Sequence, residues 1–426
     1  MRRLVWNDLS QTARDAALAR PAKRRDAAVA DVVRRIFNEV AHEGERAVAR
    51  WALDLDRRAP EALALTSRVV GAARAQLEPE DLAALDIAMA NVRAFHTATL
   101  PNDIEVETLP GVRCKRVWRP IGSCGLYIPA GTAPLFSTLI MLAEPARVAG
   151  VPQRIVVTPP GQAPHPMMIA AAAACGLDTL WLVGGAQAIA ALTFGAGLPK
   201  AEKIFGPGNA YVAEAKRYAA ALPGGPLIDV PAGPSELMVI ADDEADPALV
   251  AADLLSQAEH DADAQVIFAA TSARLLSAVA AALDAQLATL PRAAIARAAL
   301  DQARLILARD SVEAADIANA YAPEHLALHV AAPAPLLEQI SNAGAVFVGR
   351  WSAETFGDYV CGPSHVLPTD GAARTWSGVS TASFMKSFTV QTLSTAGAGA
   401  LAGAAARLAR LEGLEAHARA ADLRAT

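Results

Sequence analysis

The chain has 426 residues, of which 53% are hydrophobic and 19% are charged, and its formal net charge is −6. This length exceeds what one ordinary hydrophobic core holds, so we expect two or more domains. The mildly acidic balance and the lack of a basic block argue against nucleic acid as the main partner.

The four cysteines are scattered and form no Cys-x-x-Cys pair, which predicts reduced thiols in a cytoplasmic protein. Any metal site would then use histidine, carboxylate and amide ligands. The first residues meet charge too early for the apolar core of a signal peptide. The nearly uncharged stretch 166–198 is interrupted by Asp178 and by paired glycines. We therefore interpret it as a buried helix–strand–helix and expect no membrane span.

In chain order, the first hundred residues predict amphipathic helices, for example over 27–54. A first βα series then follows, with strands over 154–158, 179–183 and 203–205 and helices over 167–175, 186–194 and 210–221. A second series has a helix over 247–259 and strands over 237–240, 265–269, 304–307, 326–330 and 345–348. Short apolar strands alternating with helices predict parallel sheets. From about Thr375 this alternation is lost, and the chain is expected to end as an amphipathic helix.

The segment Ser256-Gln257-Ala258-Glu259-His260 lies in a predicted helical stretch. Gln257 and His260 are three residues apart, so they are expected to share one face. An amide oxygen and an imidazole nitrogen on one face form half of a metal site. Asp358 and His417 are candidate partners far downstream. If these groups converge, the chain is a metalloenzyme whose extreme C-terminus completes the active site.

Three turns on the first predicted sheet suit a nucleotide. Gly206-Pro207-Gly208-Asn209-Ala210-Tyr211 follows a strand and has the first two glycines of a dinucleotide fingerprint, but not the third. A tight strand–helix turn explains this segment equally well. Gln187 and Asn209 both follow the carboxyl ends of strands, where a cofactor would lie. Tyr127 adds an aromatic ring next to a Gly/Pro turn, or else a buried tyrosine at a hinge.

Two further segments carry acid/base groups. Glu324 and His325 stand side by side at a predicted strand start and suit proton transfer, although a solvated glutamate beside a packed histidine is the alternative. Asp358 and His365 lie in one glycine-bounded loop, for which turn chemistry is also a sufficient explanation. Glu412 and His417 are predicted on the last helix, where a surface helix carries such residues routinely.

Taken together, these segments resemble the histidinol dehydrogenase family over nearly the whole chain. The markers occur in the family's order and are, by residue number, 125–129, 184–192, 203–209, 229–260, 322–326, 357–359, 365–369 and 412–417. So many segments in the right order make the resemblance highly specific.

The resemblance implies a role for each candidate residue. The zinc ligands are Gln257, His260, Asp358 and His417, with the last supplied by the partner subunit of a homodimer. The NAD-contacting positions are Tyr127, Gln187 and Asn209. Glu324 and His325 form the acid/base pair. The substrate contacts are Ser235, Gln257, His260, His325, Asp358, His365, Glu412 and His417.

The resemblance also implies the reaction, which is the four-electron oxidation of L-histidinol to L-histidine through L-histidinal with two NAD. The rival activity is that of a paralogous NAD-dependent dehydrogenase acting on another small alcohol, such as a sulfonated propanediol. A catalytically dead zinc-binding scaffold is a rival of another class, and the presence of both Glu324 and His325 argues against it.

The fold class expected is α/β, with two tandem open Rossmann-like βα units, a helical N-terminal segment and an extended helical C-terminal tail. The expected division comprises an N-terminal helical segment over 1–24, a larger α/β domain over 25–122 plus 236–372 that carries the zinc and acid/base residues, a Rossmann-like NAD-contacting domain over 123–235, and a tail over 373–426 that reaches the partner subunit.

Overall fold

The computed structural model describes residues 1–20, 27–130, 134–161, 163–229 and 233–425. Every candidate site residue lies inside these ranges. Of the marker segments, 230–232 lies outside the described residues, as does Gly131 at the end of the turn that follows Tyr127.

The strands in chain order are β1 (Arg2–Val5), β2 (Glu61–Ala64), β3 (Ile104–Leu109), β4 (Val112–Pro120), β5 (Ser123–Tyr127), β6 (Gln153–Thr158), β7 (Thr179–Leu182), β8 (Lys203–Phe205), β9 (Leu227–Ile228), β10 (Glu236–Ala241), β11 (Gln265–Ala270), β12 (Arg304–Leu307), β13 (His325–His329), β14 (Ala345–Val348) and β15 (Met385–Leu393). All strands of the two predicted βα series are present, with ends within one or two residues of those expected.

The α-helices are α1 (Gln11–Leu18), α2 (Ala27–Glu43), α3 (Glu45–Asp56), α4 (Ser67–Arg74), α5 (Pro79–Ala98), α6 (Phe136–Val148), α7 (Pro166–Ala174), α8 (Gly185–Phe194), α9 (Ala210–Ala221), α10 (Pro247–Ala258), α11 (Ala273–Leu287), α12 (Ala293–Asp301), α13 (Ser311–Tyr321), α14 (Pro333–Leu337), α15 (Glu354–Tyr359), α16 (Thr395–Leu411) and α17 (Glu415–Asp422). Short 3₁₀ segments occupy Trp6–Asp8, Ala372–Arg374 and Thr381–Phe384. Within the described ranges, no helix is both long and apolar enough to cross a bilayer.

Two six-stranded sheets form the body of the molecule. The first has the order β2-β7-β6-β5-β8-β9, and all its neighbours are parallel except β2 with β7. The second has the order β1-β12-β11-β10-β13-β14 and is wholly parallel. Parallel neighbours need crossover connections between strands, which explains why helices alternate with these strands. The predicted α/β class with two open sheets is confirmed.

Apolar residues alternate between the two faces of each sheet, so each sheet is covered on both sides. On β6, Val156 packs into one core and its neighbours Ile155 and Val157 pack into the other. On β10, Leu237 faces one core and Met238 faces the core on the opposite side. Strands buried on both faces lack a polar side, which is why the sequence shows them as continuous apolar runs.

The N-terminal region is less helical than predicted. Residues 1–24 were expected as a helical segment, but β1 comes first and pairs in register with β12, Arg2 opposite Arg304. Strand β2 was also not predicted, because its four residues are mostly exposed at the edge of the first sheet. Helix α2 buries Val33 and Phe37 against the first sheet. Residues 27–64 therefore pack with 123–229, whereas the predicted division groups 25–122 with 236–372.

The tail also differs from the single final helix that was predicted. Strand β15 pairs antiparallel with β4, and β4 with β3, in a separate three-stranded sheet. Two helices then follow in place of one. Glu412 is the C-terminal cap of α16, and only His417 lies on α17. The break falls at Gly413, whose φ of 75° lies in the left-handed region where glycine ends helices.

Candidate active site

The predicted cofactor residues lie at the carboxyl ends of strands of the first sheet. Tyr127 is the last residue of β5, and Gln187 is in the first turn of α8 just after β7. The Gly185 amide donates to the Tyr127 hydroxyl over 3.1 Å, which joins these two turns. Both side chains are buried, and the Gln187 carbonyl oxygen has no hydrogen-bond partner among the described residues. A buried acceptor without a donor is expected where a ligand completes the site.

The third cofactor residue, Asn209, caps α9 and is exposed. Its Oδ1 accepts from the Tyr211 and Val212 amides, each at 3.1 Å. The preceding turn depends on Gly206, whose φ is 113° and where a Cβ would lie 2.0 Å from the Tyr127 carbonyl oxygen. The predicted strand–helix turn is therefore present, and Asn209 caps the helix that follows it.

Sequence reasoning missed an acidic residue beside this site. Asp56 is the last residue of α3, and its Oδ2 accepts from Gln187 Nε2 over 3.0 Å. Burial raises the pKa of Asp56, although hydrogen bonds from the Gly184 backbone and from Gln187 oppose this shift. Asp56 is far from the glycine turns along the chain, so no local sequence pattern indicates this contact.

The predicted acid/base pair lies at the start of β13 in the second sheet, and the backbone of Glu236 holds both members. The Glu236 amide donates to Oε2 of Glu324 over 2.8 Å. The Glu236 carbonyl oxygen lies 3.1 Å from Nδ1 of His325. Parallel pairing of β10 with β13 sets Leu237 opposite His325, which brings these atoms together. The pair thus lies at the amino ends of its strands, while the cofactor residues lie at carboxyl ends.

This contact fixes the tautomer of His325. A carbonyl oxygen only accepts, so Nδ1 carries the proton and Nε2 keeps a lone pair in the neutral ring. Burial lowers the pKa of His325 to about 3, which keeps the ring neutral near pH 7. Nε2 is buried and has no hydrogen-bond partner among the described residues. His325 therefore presents a free base to the site.

Asp358 lies between His325 and the predicted metal ligand His260. Its Oδ1 is 3.8 Å from Nε2 of His325, and its Oδ2 is 3.9 Å from Nε2 of His260. Burial raises the pKa of Asp358 to about 6, and the His260 charge opposes that shift. The structure therefore brings Asp358, His260 and His325 together from α15, the turn after α10 and β13.

The prediction that Gln257 and His260 share one face of a helix is wrong. Helix α10 ends at Ala258, so Gln257 is in its last turn while His260 lies beyond the cap. A turn holds His260 in place, because its amide donates to the Gln257 carbonyl oxygen over 3.2 Å. The two residues remain neighbours, although they do not share a regular helix face.

Gln257 provides the structural test for a metal at this point. Its side chain is fully buried, and neither its amide oxygen nor its nitrogen has a hydrogen-bond partner among the described residues. Burying an amide without hydrogen-bond partners costs free energy. Such an amide is therefore expected where a bound group contacts its oxygen or nitrogen. An amide oxygen, an imidazole and a carboxylate form a donor set that zinc accepts. The residues present fit such an ion.

Glu354 is a buried carboxyl that sequence reasoning missed. Its Oε1 lies 3.4 Å from Nδ1 of His325, and its Oε2 has no hydrogen-bond partner among the described residues. Ligand atoms of His325, Glu354 and Asp358 all lie within 4.8 Å of one another. Burial raises the pKa of both Glu354 and Glu324 well above the usual carboxyl range, and neighbouring carboxylates add to the shift. Such clustering of buried carboxyls favours a cation nearby.

Of two further predicted substrate-contacting residues, His365 contacts Asp358 and Ser235 directly precedes Glu236. His365 Nδ1 donates to the Asp358 carbonyl oxygen over 2.9 Å, so its Nε2 accepts from the Thr138 hydroxyl at 3.1 Å. Burial lowers the pKa of His365, which is consistent with this neutral form. Ser235 is half-buried just before β10, and its carbonyl oxygen accepts from the Gln265 amide. Asp358 and His365 also line a cavity of about 680 Å³ together with His325.

The last two predicted residues do not join the cluster within one chain. Glu412 and His417 are exposed, and their backbone amides bond only within the tail. In the described part of the chain, no hydrogen bond or ion pair links either of them to the groups around Asp358. One subunit therefore brings His260 and Asp358 together without His417.

The comparisons with known proteins agree along the whole chain. The histidinol dehydrogenase family model matches residues 19–425. A histidinol dehydrogenase from Yersinia pestis is 45% identical over 422 residues, covering 99% of this chain and 95% of that protein. One from Salmonella typhimurium is 46% identical over 420 residues, with 98% and 96% covered.

A solved structure gives the same result. The crystal structure of histidinol dehydrogenase from Elizabethkingia anophelis superposes with a TM-score of 0.95 at 38% sequence identity, covering 100% of this chain and 98% of that one. Sequence and fold thus point to the same group of proteins. The chain belongs to the histidinol dehydrogenase family, whose members are NAD-dependent oxidoreductases of histidine biosynthesis.

Proposed function

We propose that this protein oxidises L-histidinol to L-histidine with two NAD, using Glu324 and His325 as its acid/base pair. The observation that carries the proposal is the neutral, fixed imidazole of His325, with its Nε2 lone pair free and 3.8 Å from Asp358 Oδ1. A general base needs this combination of an open lone pair and a fixed ring. A cytoplasmic location completes the proposal and is supported by four free cysteines.

In the first half-reaction, His325 Nε2 takes the alcohol proton of histidinol as the carbinol carbon gives up hydride. Its Nδ1 keeps its proton, which is donated to the Glu236 carbonyl oxygen throughout, so the ring accepts the new proton only at Nε2. His325 then releases that proton to solvent. In the second half-reaction, Glu324 removes a proton from the water that attacks the aldehyde, and the regenerated His325 accepts the hydroxyl proton of the hydrated aldehyde as its carbon gives up the second hydride. Glu324 suits this role because burial raises the pKa of its carboxyl, which makes its carboxylate a stronger base.

The two bound groups supply what the side chains lack. When bound, NAD would accept the hydride, and zinc, which is redox-inert, would hold the substrate in place. We assign the zinc to Gln257, His260 and Asp358, with His417 as the fourth ligand. The unpartnered amide of Gln257 supports this assignment. We assign the NAD to Tyr127, Gln187 and Asn209, and the substrate to Ser235, His365 and Glu412 in addition to His325 and the four ligands.

We further propose that His417 and Glu412 reach the site of a second subunit in a homodimer. Both side chains are exposed in the single chain, which supports this arrangement. If they contacted the metal or substrate of their own subunit, they would be expected to lie buried beside that site. Exposed apolar side chains occur on both surfaces that would meet. On the tail these are Leu408, Leu411 and Leu423, and near the site they are Trp351, Phe356 and Tyr359. Large exposed apolar surface is typical of an interface.

Steady-state assays of NADH formation test the activity. The purified full-length chain should form two NADH for each histidinol consumed, and a sulfonated propanediol should give none. His325→Asn should lower kcat by about 100-fold or more, because the general base is lost, while histidinol still binds. Absence of NADH with histidinol, or turnover of the propanediol in its place, would contradict the proposed function. Near-normal turnover by His325→Asn would refute only the role of His325.

The buried carboxyls predict a pH-dependent stability of the metal-free protein. The folded state raises the pKa of Glu354, so it holds this proton more tightly than the unfolded chain does. The contribution of Glu354 to the stability of the metal-free protein should therefore be fully present below its unfolded pKa of about 4.5 and should be lost as pH rises through its raised folded pKa. Glu354→Gln keeps an uncharged group there. It should raise the Tm measured with a chelator more at about pH 8 than at about pH 5.

Glu338→Gln serves as the matched control for that experiment, because Glu338 is exposed. Its substitution should change Tm little at either pH. Equal shifts by Glu354→Gln at both pH values would contradict the assigned cause.

Mixed dimers test whether the tail acts in trans. His260→Ala and His417→Ala should each be inactive, because each removes a ligand from every site. In a heterodimer of the two, one site combines both damaged parts and the other combines both intact parts. Random mixing makes half of the dimers heterodimers, so about a quarter of wild-type activity should return. If both residues act within one subunit, mixing restores nothing.

A further inference from the structure

We propose that Arg20 is a positioning residue for the acid/base pair, acting through Glu236 and through the turn that precedes Glu324. This inference rests on the function proposed above, since it explains how Glu324 and His325 keep their geometry. Arg20 lies two residues beyond α1, far from the pair along the chain. It touches none of the reacting groups, so its effect on the reaction is indirect.

The first set of contacts joins Arg20 to Glu236. Arg20 Nε and Nη2 donate to Oε1 and Oε2 of Glu236, with Nη2 to Oε2 at 2.7 Å. The Glu236 side chain is fully buried, and within the described ranges this is its only ion pair. The planar fork of an arginine fixes a carboxylate in direction as well as in place, which a lysine does not. Glu236 is therefore held rigidly at the start of β10.

The second set of contacts joins the same guanidinium to the residues before Glu324. Nη2 also donates to the carbonyl oxygens of Tyr321 and Ala322, at 3.1 and 3.3 Å. The guanidinium carbon lies 3.8 Å from the centre of the Tyr321 ring, in a cation–π contact. One side chain thus connects the start of β10 with the end of α13.

The turn at Ala322 needs such support. Ala322 has a φ of 54°, a left-handed conformation that residues with a Cβ adopt only when their surroundings enforce it. Only Pro323 separates it from Glu324, so the direction in which Glu324 and His325 leave the turn depends on that conformation. Asp370, whose φ is 55°, also donates its amide to Oε1 of Glu236. Two strained residues therefore depend on the same ion pair.

The functional consequence follows from the backbone of Glu236, which hydrogen-bonds both Glu324 and His325. A shift of Glu236 relative to Ala322 would change both hydrogen bonds together. Misplacement of a reacting group by about 1 Å can cost 100-fold in rate. Loss of Arg20 should therefore reduce turnover while leaving substrate binding largely intact.

Steady-state kinetics of Arg20→Ala test the proposal on the full-length, zinc-loaded protein. We expect kcat to fall by about 10- to 100-fold, with the KM for histidinol and for NAD changed by less than about 3-fold. Millimolar guanidinium should restore part of the lost kcat, because it can refill the site between Glu236 and the turn. Arg20→Lys should give an intermediate kcat, since it keeps the charge without the fork.

Arg14→Ala is the matched control. Arg14 lies in the same N-terminal segment, with its guanidinium 5.2 Å from the Trp6 ring and its Nε donating to the Trp6 carbonyl oxygen. It has the same kind of packing but no contact with Glu236 or the turn. Arg14→Ala should keep kcat near the wild-type value, and guanidinium should not raise it.

Several outcomes would overturn the role of Arg20. These are wild-type kcat in Arg20→Ala, an equal loss in Arg14→Ala, or a loss that guanidinium does not reduce at all. If Arg20→Ala does not fold, an unchanged kcat in Arg20→Lys would likewise overturn the role of Arg20. Wild-type protein assayed alongside separates the two hypotheses. An inactive wild type rejects the proposed function, whereas an active wild type with unaffected variants rejects only the inference about Arg20.

Discussion

The main chain of Glu236 carries the constraint on which the rest of the site depends. Its amide and its carbonyl oxygen bind Glu324 and His325, and these bonds form because β10 and β13 pair in parallel with a fixed register. The register fixes the two side chains of the proposed acid/base pair relative to Glu236 before any ligand arrives. It also fixes the tautomer of His325, so chemistry at Nε2 is a consequence of sheet pairing.

Charge is the second physical theme, because several acidic groups share one buried region. Burial raises the pKa of Glu324, Glu354 and Asp358, so each is reluctant to ionise in the metal-free fold. A divalent cation beside Asp358 would lower the pKa of these carboxyls and would give the Gln257 amide oxygen a partner. The same region keeps His325 neutral. The proposed cation would therefore offset the charge of these carboxylates, while burial keeps His325 neutral until it accepts a proton in the proposed reaction.

Much of this arrangement was predictable from the sequence, and the failures have physical causes. The buried strands and the Glu324–His325 pair were found because apolar runs and a turn before a strand leave clear local patterns. Strand β15 was missed because its residues are almost all exposed, which removes the alternation that marks a strand. The role of Glu236 lies in backbone atoms and gives no side-chain signal. Glu354 meets His325 only through tertiary packing, which a single sequence does not encode locally.

The central claim is that one subunit prepares a base and three ligands and that a second subunit completes the metal site. Anomalous X-ray diffraction at the zinc edge, from crystals of the zinc-loaded protein, tests it most directly. The account predicts one peak per subunit, bounded by Gln257, His260 and Asp358 of one chain and by the partner's His417. A peak held by His325, Glu354 and Asp358, or one completed by His417 of the same chain, would contradict it.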